Sequence, residues 1–322
     1  MRITFYSSLT LVIAAHIVLP IVIFIWLWRS KSSSRFTWLV KIISTAPAIV
    51  ILFLAGDWQQ LTYYGRAAVV IIYAAAVIKS YRSTKNLPLY ARLVYVDWLL
   101  ILTGLCLTAY MIHTSVNIFE AYSYEGKPVD LDFPFKSGTY LVCFGGNGEK
   151  SALVNYHYRF PLYARSRLDP SVVYAVDIVK LNSLGKSSKG FMPKDQSMYD
   201  IYLDTIYSPC DGTVVSVQDR WKDESPYAFN FPYNPGNSIV IKYENVYILM
   251  GHLEKGSILV KQGDQVSKGQ PLAKVGNSGW TTEPHLHIQA MRTYDGVDNE
   301  GKGLPFTFNG RFPVKNDLFI RP

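Results

Sequence analysis

From Ile3 to Trp28 the chain carries no Asp, Glu, Lys or Arg. A helix of about 20 apolar residues crosses a bilayer core, so this run is long enough to span by itself. It closes on Phe24-Ile-Trp-Leu-Trp28 and then Arg29, an aromatic interface belt with a basic anchor. A cleaved leader has a shorter apolar core and a small-residue cleavage site, so the run reads as a retained span. Three more apolar runs follow, and the spans are expected at 3–28, 36–56, 61–78 and 98–119. Lys41 lies near one end of the second, where its stem can snorkel. The third is short unless it borrows Leu61–Gly65 and places Arg66 at the interface.

The distribution of charge orients these spans. Residues 1–119 hold ten Lys and Arg against two Asp and Glu, whereas residues 120–322 balance 22 against 22. The net charge of +8 therefore belongs to the apolar half, which excludes a polyanion-binding surface and argues against a nucleic-acid partner. With 17% charged residues the chain also falls below the roughly 25% of an ordinary soluble domain. Arg29, Lys31, Arg35 and Lys41 cluster between spans one and two, and Lys79, Arg82, Lys85 and Arg92 between spans three and four. Basic loops stay in the cytoplasm, so both are expected inside and everything after Glu120 outside. The domain plan is a transmembrane module at 1–119, a linker at 120–135 and an extracytoplasmic domain at 136–322. His16 and Pro20 fall in the first span and His113 in the fourth. Intramembrane ionisable groups are functional candidates, and a neutral His bonded to a neighbouring helix is the plainer reading.

Beyond Lys136 the pattern changes to short alternating runs such as Gly212-Thr-Val-Val-Ser-Val217 and Asn237-Ser-Ile-Val-Ile-Lys242, broken by Gly, Pro, Asn and Asp. This predicts an all-β domain, an antiparallel sandwich or barrel-like core with an open groove. Gly185 to Ser197 and Arg220 to Pro235 read as inserted loops, the second carrying Trp221, Tyr227, Phe229, Phe231 and Tyr233. Such a loop either roofs a binding groove or packs on its own domain. With three cysteines the chain is no disulfide scaffold; Cys143 and Cys210 are either a pair or two buried thiols.

Four of the six histidines lie in this half. In Pro284-His-Leu-His-Ile-Gln289, His285 and His287 stand two apart and share one face of a strand. Two buried imidazoles need polar partners, which points to metal binding or acid–base work. His252 sits in Met250-Gly-His-Leu-Glu254, followed by Val260-Lys-Gln-Gly-Asp-Gln-Val-Ser-Lys-Gly-Gln-Pro-Leu272 and Val275-Gly-Asn-Ser-Gly-Trp280. Upstream stand Tyr174-Ala-Val-Asp-Ile-Val179 and Ser208-Pro-Cys-Asp-Gly-Thr-Val214. In this order and spacing, Tyr174 to Gln289 resembles the lysostaphin-type zinc endopeptidases, the LytM-like cell-wall hydrolases. The resemblance implies one zinc ion, with Asp177 and His287 as ligands and His285 and His252 as catalytic histidines outside the ligand set. It also implies peptidoglycan peptides as substrate.

One departure stands out. The family's first ligand is a His four residues before the Asp, and Val173 occupies that position. His157, in Val154-Asn-Tyr-His-Tyr158, is the nearest upstream His and is expected to complete the set from a neighbouring segment, with Arg159 to Pro170 looping out. The leading expectation is a multi-pass protein of the bacterial cytoplasmic membrane, with the lipid bilayer and peptidoglycan as partners, that hydrolyses wall peptides through a zinc-activated water. Val173 also suits a catalytically inactive LytM-like module that binds peptidoglycan or regulates another hydrolase. A biotinyl or lipoyl carrier reading of Cys210 to Val275 leaves the histidines unexplained. Oligomeric state has no signal in the sequence.

Overall fold

The computed structural model describes residues 10–92, 94–159, 169–228, 235–294 and 301–322. The chain divides into two compact units, one of Arg2–Trp58 with Tyr63–Phe119, the other of Gln59–Thr62 with Glu120–Pro322.

The first unit is helical: α1 (Thr10–Arg29), α2 (Arg35–Ala55), α3 (Gly65–Thr84) and α4 (Tyr95–Glu120). Among the described residues, α1, α2, α3 and the Ile101–Glu120 part of α4 are each long and apolar enough to cross a membrane. In α1 the turn Ala14–Val18 widens to π geometry just before Pro20, whose ring displaces the carbonyl four residues back. Ser34 starts α2 with a reciprocal cap, its hydroxyl accepting from the Thr37 amide while Thr37 Oγ1 accepts from the Ser34 amide. The third helix runs to Thr84, not to the expected Ile78, and takes in Lys79 and Arg82. A hydropathy run stops at the first charge, whereas helix hydrogen bonding continues through it; Lys79 Nζ lies 3.6 Å from the centroid of the Trp28 ring. His16 Nε2 accepts the Asp57 amide at 2.9 Å and its ring packs edge-on against Trp58, which gives this helical His a structural anchoring. Large apolar side chains such as Leu11, Ile21, Ile25, Ile71 and Leu102 remain exposed on these helices.

The second unit is β. Its strands are β1 (Val129–Leu131), β2 (Gly138–Phe144), β3 (Val176–Leu181), β4 (Thr205–Tyr207), β5 (Gly212–Gln218), β6 (Asn237–Tyr243) and β7 (Val246–Leu253). After them come β8 (Gln265–Val266), β9 (Pro271–Lys274), β10 (Leu286–Met291), β11 (Gly303–Leu304), β12 (Phe306–Phe308) and β13 (Leu318–Arg321). The main sheet runs β13-β2-β3-β10-β7-β6-β5-β8, with β11 on β10; β4 pairs β9, and β1 pairs β12 in parallel. All pairings in the main sheet are antiparallel.

This corrects the expected sandwich or barrel in one respect. The path ends at β13 and β8 without closure among the described residues. The core lies on one face, where Val176, Ile178, Ile239, Ile248, Met250, Leu286 and Ile288 meet Phe133, Phe135, Phe306 and Phe308. Small ribbons and aromatic rings cover that face in place of a second full sheet. The stretch 120–135, expected as a linker, therefore contributes β1 and two buried core phenylalanines, a segment too short for alternation to reveal.

Along β3 and β10 the apolar partners alternate with Asp177, His287 and Gln289, which point to the opposite face beside a small cluster of Val240, Leu249 and Met291. In β7 the alternation breaks. Ile239 pairs Met250 but Asn237 pairs Leu253, so Gly251 and His252 oppose the single residue Ser238. This β-bulge holds His252 at a φ of 59°. Strict alternation from Ile248 and Met250 would aim position 252 into the core; the bulge sends Leu253 there instead and frees the imidazole.

Candidate metal centre

β3 and β10 pair so that His287 faces Asp177 directly across the ladder. Asp177 Oδ1 lies 2.9 Å from His287 Nδ1 and 3.4 Å from His285 Nε2, and Asp177 Oδ2 lies 3.1 Å from His157 Nε2. His157 reaches this point from a single 3-10 turn, His157–Arg159, with its ring stacked on Tyr156 at 4.6 Å. The His252 ring sits 4.6 Å from that of His285. All five side chains are buried, Asp177 at 2% exposure. The structure thus gathers His157, Asp177, His252, His285 and His287 into one cluster. One ligand atom each from His157, Asp177 and His287 lie within 4.8 Å of one another, as do those of His252, His285 and His287.

The far nitrogen of each ring fixes what the near one can do. His157 Nδ1 lies 2.7 Å from Asn155 Oδ1, an acceptor identified by the Asn155 amide nitrogen donating to the carbonyls of Gly146, Val173 and Ala175. His287 Nε2 lies 2.9 Å from Gln289 Oε1. A neutral His157 or His287 therefore carries its proton on the far side and turns a lone pair onto Asp177. Two lone pairs and a carboxylate facing each other out of water repel unless a cation lies among them. Nitrogen and carboxylate donors in a threefold set suit zinc, so the residues fit such an ion.

His252 Nδ1 donates to the Ser278 carbonyl at 2.8 Å, and His285 Nδ1 to the Glu283 carbonyl at 2.7 Å with Thr281 Oγ1 at 3.2 Å. Both keep Nε2 as the working atom. Burial, reinforced by His285, holds the His252 imidazole well below its usual range. Burial works against charge on Asp177; the positive charge that His157 and His285 carry when protonated outweighs it and draws the carboxyl well below its usual range. The Glu283 side chain accepts from Gln60 Nε2 at 3.0 and 2.9 Å within the same compact unit.

Val173, at the usual first-ligand position, is buried and gives only its carbonyl, to Gly148 N and Asn155 Nδ2. Sequence reading missed Asn155, Gln289 and Ser278. Gln289 was reachable, since it shares the face of His287 two residues on; Asn155 and Ser278 act through tertiary contacts. In the aromatic loop, Tyr227 is buried with its amide on the Thr282 carbonyl, and Asp223 bridges to Ser278. That part packs on its own domain, while Phe229, Phe231 and Tyr233 lie outside the described residues, as does 160–168 of the expected Arg159–Pro170 loop. Gly185–Ser197 is anchored by a bridge from Ser188 to Tyr199. Cys143 and Cys210 are both buried thiols, and Cys143 Sγ donates to the Asp177 carbonyl at 3.3 Å.

An open antiparallel sheet carrying a buried three-residue His/Asp set with two further histidines beside it defines a class of site able to hold a metal ion. Residues 200–299 match the model of Peptidase family M23, so the C-terminal half carries a Peptidase M23 domain over that stretch. The chain is 38% identical over 86 residues to the peptidoglycan DD-endopeptidase ShyA of Vibrio cholerae, covering 27% of this chain and 17% of that protein. It is 38% identical over 101 residues to ShyB of the same organism, covering 31% and 20%. Among solved structures, the catalytic domain of lysostaphin from Staphylococcus simulans is 20% identical, covering 47% of this chain and 85% of that one, with a TM-score of 0.29.

Proposed function

We propose that this chain is a membrane-anchored zinc endopeptidase that hydrolyses peptide bonds of peptidoglycan in cell-wall remodelling. The observation that carries the reading is the pair of histidine lone pairs turned onto the buried Asp177 carboxylate, in a domain matching Peptidase family M23. The described activity of the ShyA and ShyB relatives supports the substrate class.

In this reading His157, Asp177 and His287 hold one ion. When bound, zinc supplies Lewis acidity toward a carbonyl oxygen and brings the pKa of water down to about 7. His252 and His285 each commit Nδ1–H to a backbone carbonyl, so each presents Nε2 to the reacting groups. One takes the proton of the attacking water and passes it to the departing amine as the C–N bond breaks, while the other, entering the reaction as the imidazolium, donates from Nε2 to the peptide carbonyl oxygen as negative charge builds on it. Burial of both rings excludes bulk water from that exchange. The apolar helices anchor the protein in the bacterial cytoplasmic membrane, and the basic loops, kept inside, place residues 136–322 on the outer side.

Full-length protein in detergent micelles, incubated with purified peptidoglycan with and without a chelator, tests the activity. New peptide ends that disappear with chelator are expected; none with zinc-loaded protein overturns the enzyme reading. A reporter active only in the cytoplasm, fused after Pro322, is expected to be silent, and activity there overturns the topology.

A further inference from the structure

We propose that Asn155 is the positioning residue that lets a histidine far upstream stand in for the ligand lost at Val173. The proposal rests on the zinc-site reading and goes beyond it, because it explains how a displaced ligand is held. Asn155 is fully buried at 0% exposure, and its side-chain amide is saturated. Its Nδ2 donates to the carbonyls of Gly146 at 2.9 Å, Val173 at 3.3 Å and Ala175 at 2.9 Å. Its Oδ1 accepts from the His157 amide at 3.2 Å and from His157 Nδ1 at 2.7 Å.

Two tasks meet in this one amide. The donor end ties the turn that carries His157 to the backbone of residues 173 and 175, the stretch that leads into Asp177 on β3. The turn is thereby fixed to the segment from which the family's usual histidine projects. The acceptor end sets the tautomer: with Nδ1–H committed to Oδ1, Nε2 is the atom presented to Asp177 Oδ2 at 3.1 Å. Partners of this kind orient ligating imidazoles and raise their basicity, and losing one typically costs about 10- to 100-fold in metal affinity. His157 needs the help more than His287 does, since His287 is fixed by a strand paired on both sides while His157 sits on one 3-10 turn.

The test measures zinc affinity of the full-length protein in micelles by competition with a chromophoric chelator, for wild type, Asn155→Ala, His157→Ala and the double variant. Asn155→Ala is expected to weaken zinc about 10- to 100-fold in the wild-type background. In the His157→Ala background the same substitution is expected to add no further loss, because Asn155 acts through that imidazole. Additive losses, or unchanged affinity in Asn155→Ala, overturn the proposal. Asn155→Asp keeps the acceptor and forfeits the donors, so it separates the two ends of the amide; hydrogen exchange of the β3 amides confirms that each variant is folded before its affinity is compared. The Asp variant is expected to retain more zinc affinity than Asn155→Ser, which cannot reach the ring; equal affinities of the two overturn the tautomer role. A wild-type chain that takes up no zinc overturns the metal reading itself, an outcome distinct from both.

Discussion

His252 is held in the left-handed region at a φ of 59° within β7. An L side chain there costs roughly 1–2 kcal/mol, and glycine does not bear that cost. Replacing His252 by Ala or by Gly removes the same imidazole, the same bond to the Ser278 carbonyl and the same packing on His285. The two variants differ in the Cβ alone. Ala keeps the strain, while Gly sheds it and concedes about 0.5–1 kcal/mol to its freer unfolded chain. His252→Gly is therefore expected to be more stable than His252→Ala by about 0.5–1 kcal/mol, although both variants lose turnover. Hydrogen exchange of the β6 and β7 amides in the full-length, chelator-treated protein reads this directly. The difference corresponds to about a two- to fivefold greater protection in the Gly variant. Equal protection, or greater protection in the Ala variant, refutes the claim that the bulge stores strain in order to aim His252.

Three further outcomes are expected. Zinc at about 100 times its dissociation constant adds about 2.7 kcal/mol to the stability of the β unit; at that same zinc concentration His157→Ala loses most of this chelator-sensitive gain through weakened binding, and an undiminished gain in that variant counts against His157 as a ligand. In Gly236→Ala, at a φ of +65°, the new Cβ clashes with the Ser278 carbonyl, so the carbonyl that accepts from His252 Nδ1 is expected to be displaced. Turnover drops about 100-fold while bound zinc is retained, and wild-type turnover would show that Ser278 does not place the ring. Burial pushes the Asp223 carboxyl from 3.8 up to about 6, among Tyr202 and Glu254. The folded state then binds the extra proton, so stability falls as pH rises between those two values and the penalty is complete above the higher one. Asp223→Asn matches wild type below the window and exceeds it by about 1–2 kcal/mol above it, after discounting for partial exposure; a pH-independent difference in urea titrations refutes the assignment.

The helices and the alternating strands were legible because each repeats one local rule over many residues. A run without charge means burial in an apolar medium, and alternation puts His287 on one strand face, whereas His285 stands just before β10 begins at Leu286. Boundaries were less legible. The third span outruns its hydropathy because the backbone ladder ignores Lys79 and Arg82, and β1 hides in a presumed linker because three residues carry no period. The site divides along the same line. Asp177 and His287 lie on regular strands, and alternation alone puts each on the face opposite the core. His252 follows no period: its strand would bury it in the core, and only the extra residue at Gly251–His252 turns it back. His157 follows none either, since its place is set by three carbonyls gripped by Asn155 across the gap to Val173 and Ala175. Regular strands thus supply Asp177 and His287, while a bulge supplies His252 and a buried amide supplies His157. The irregular part is where a small backbone change should alter chemistry without altering the fold, which is why the comparisons at His252 and Asn155 separate aiming from mere stability.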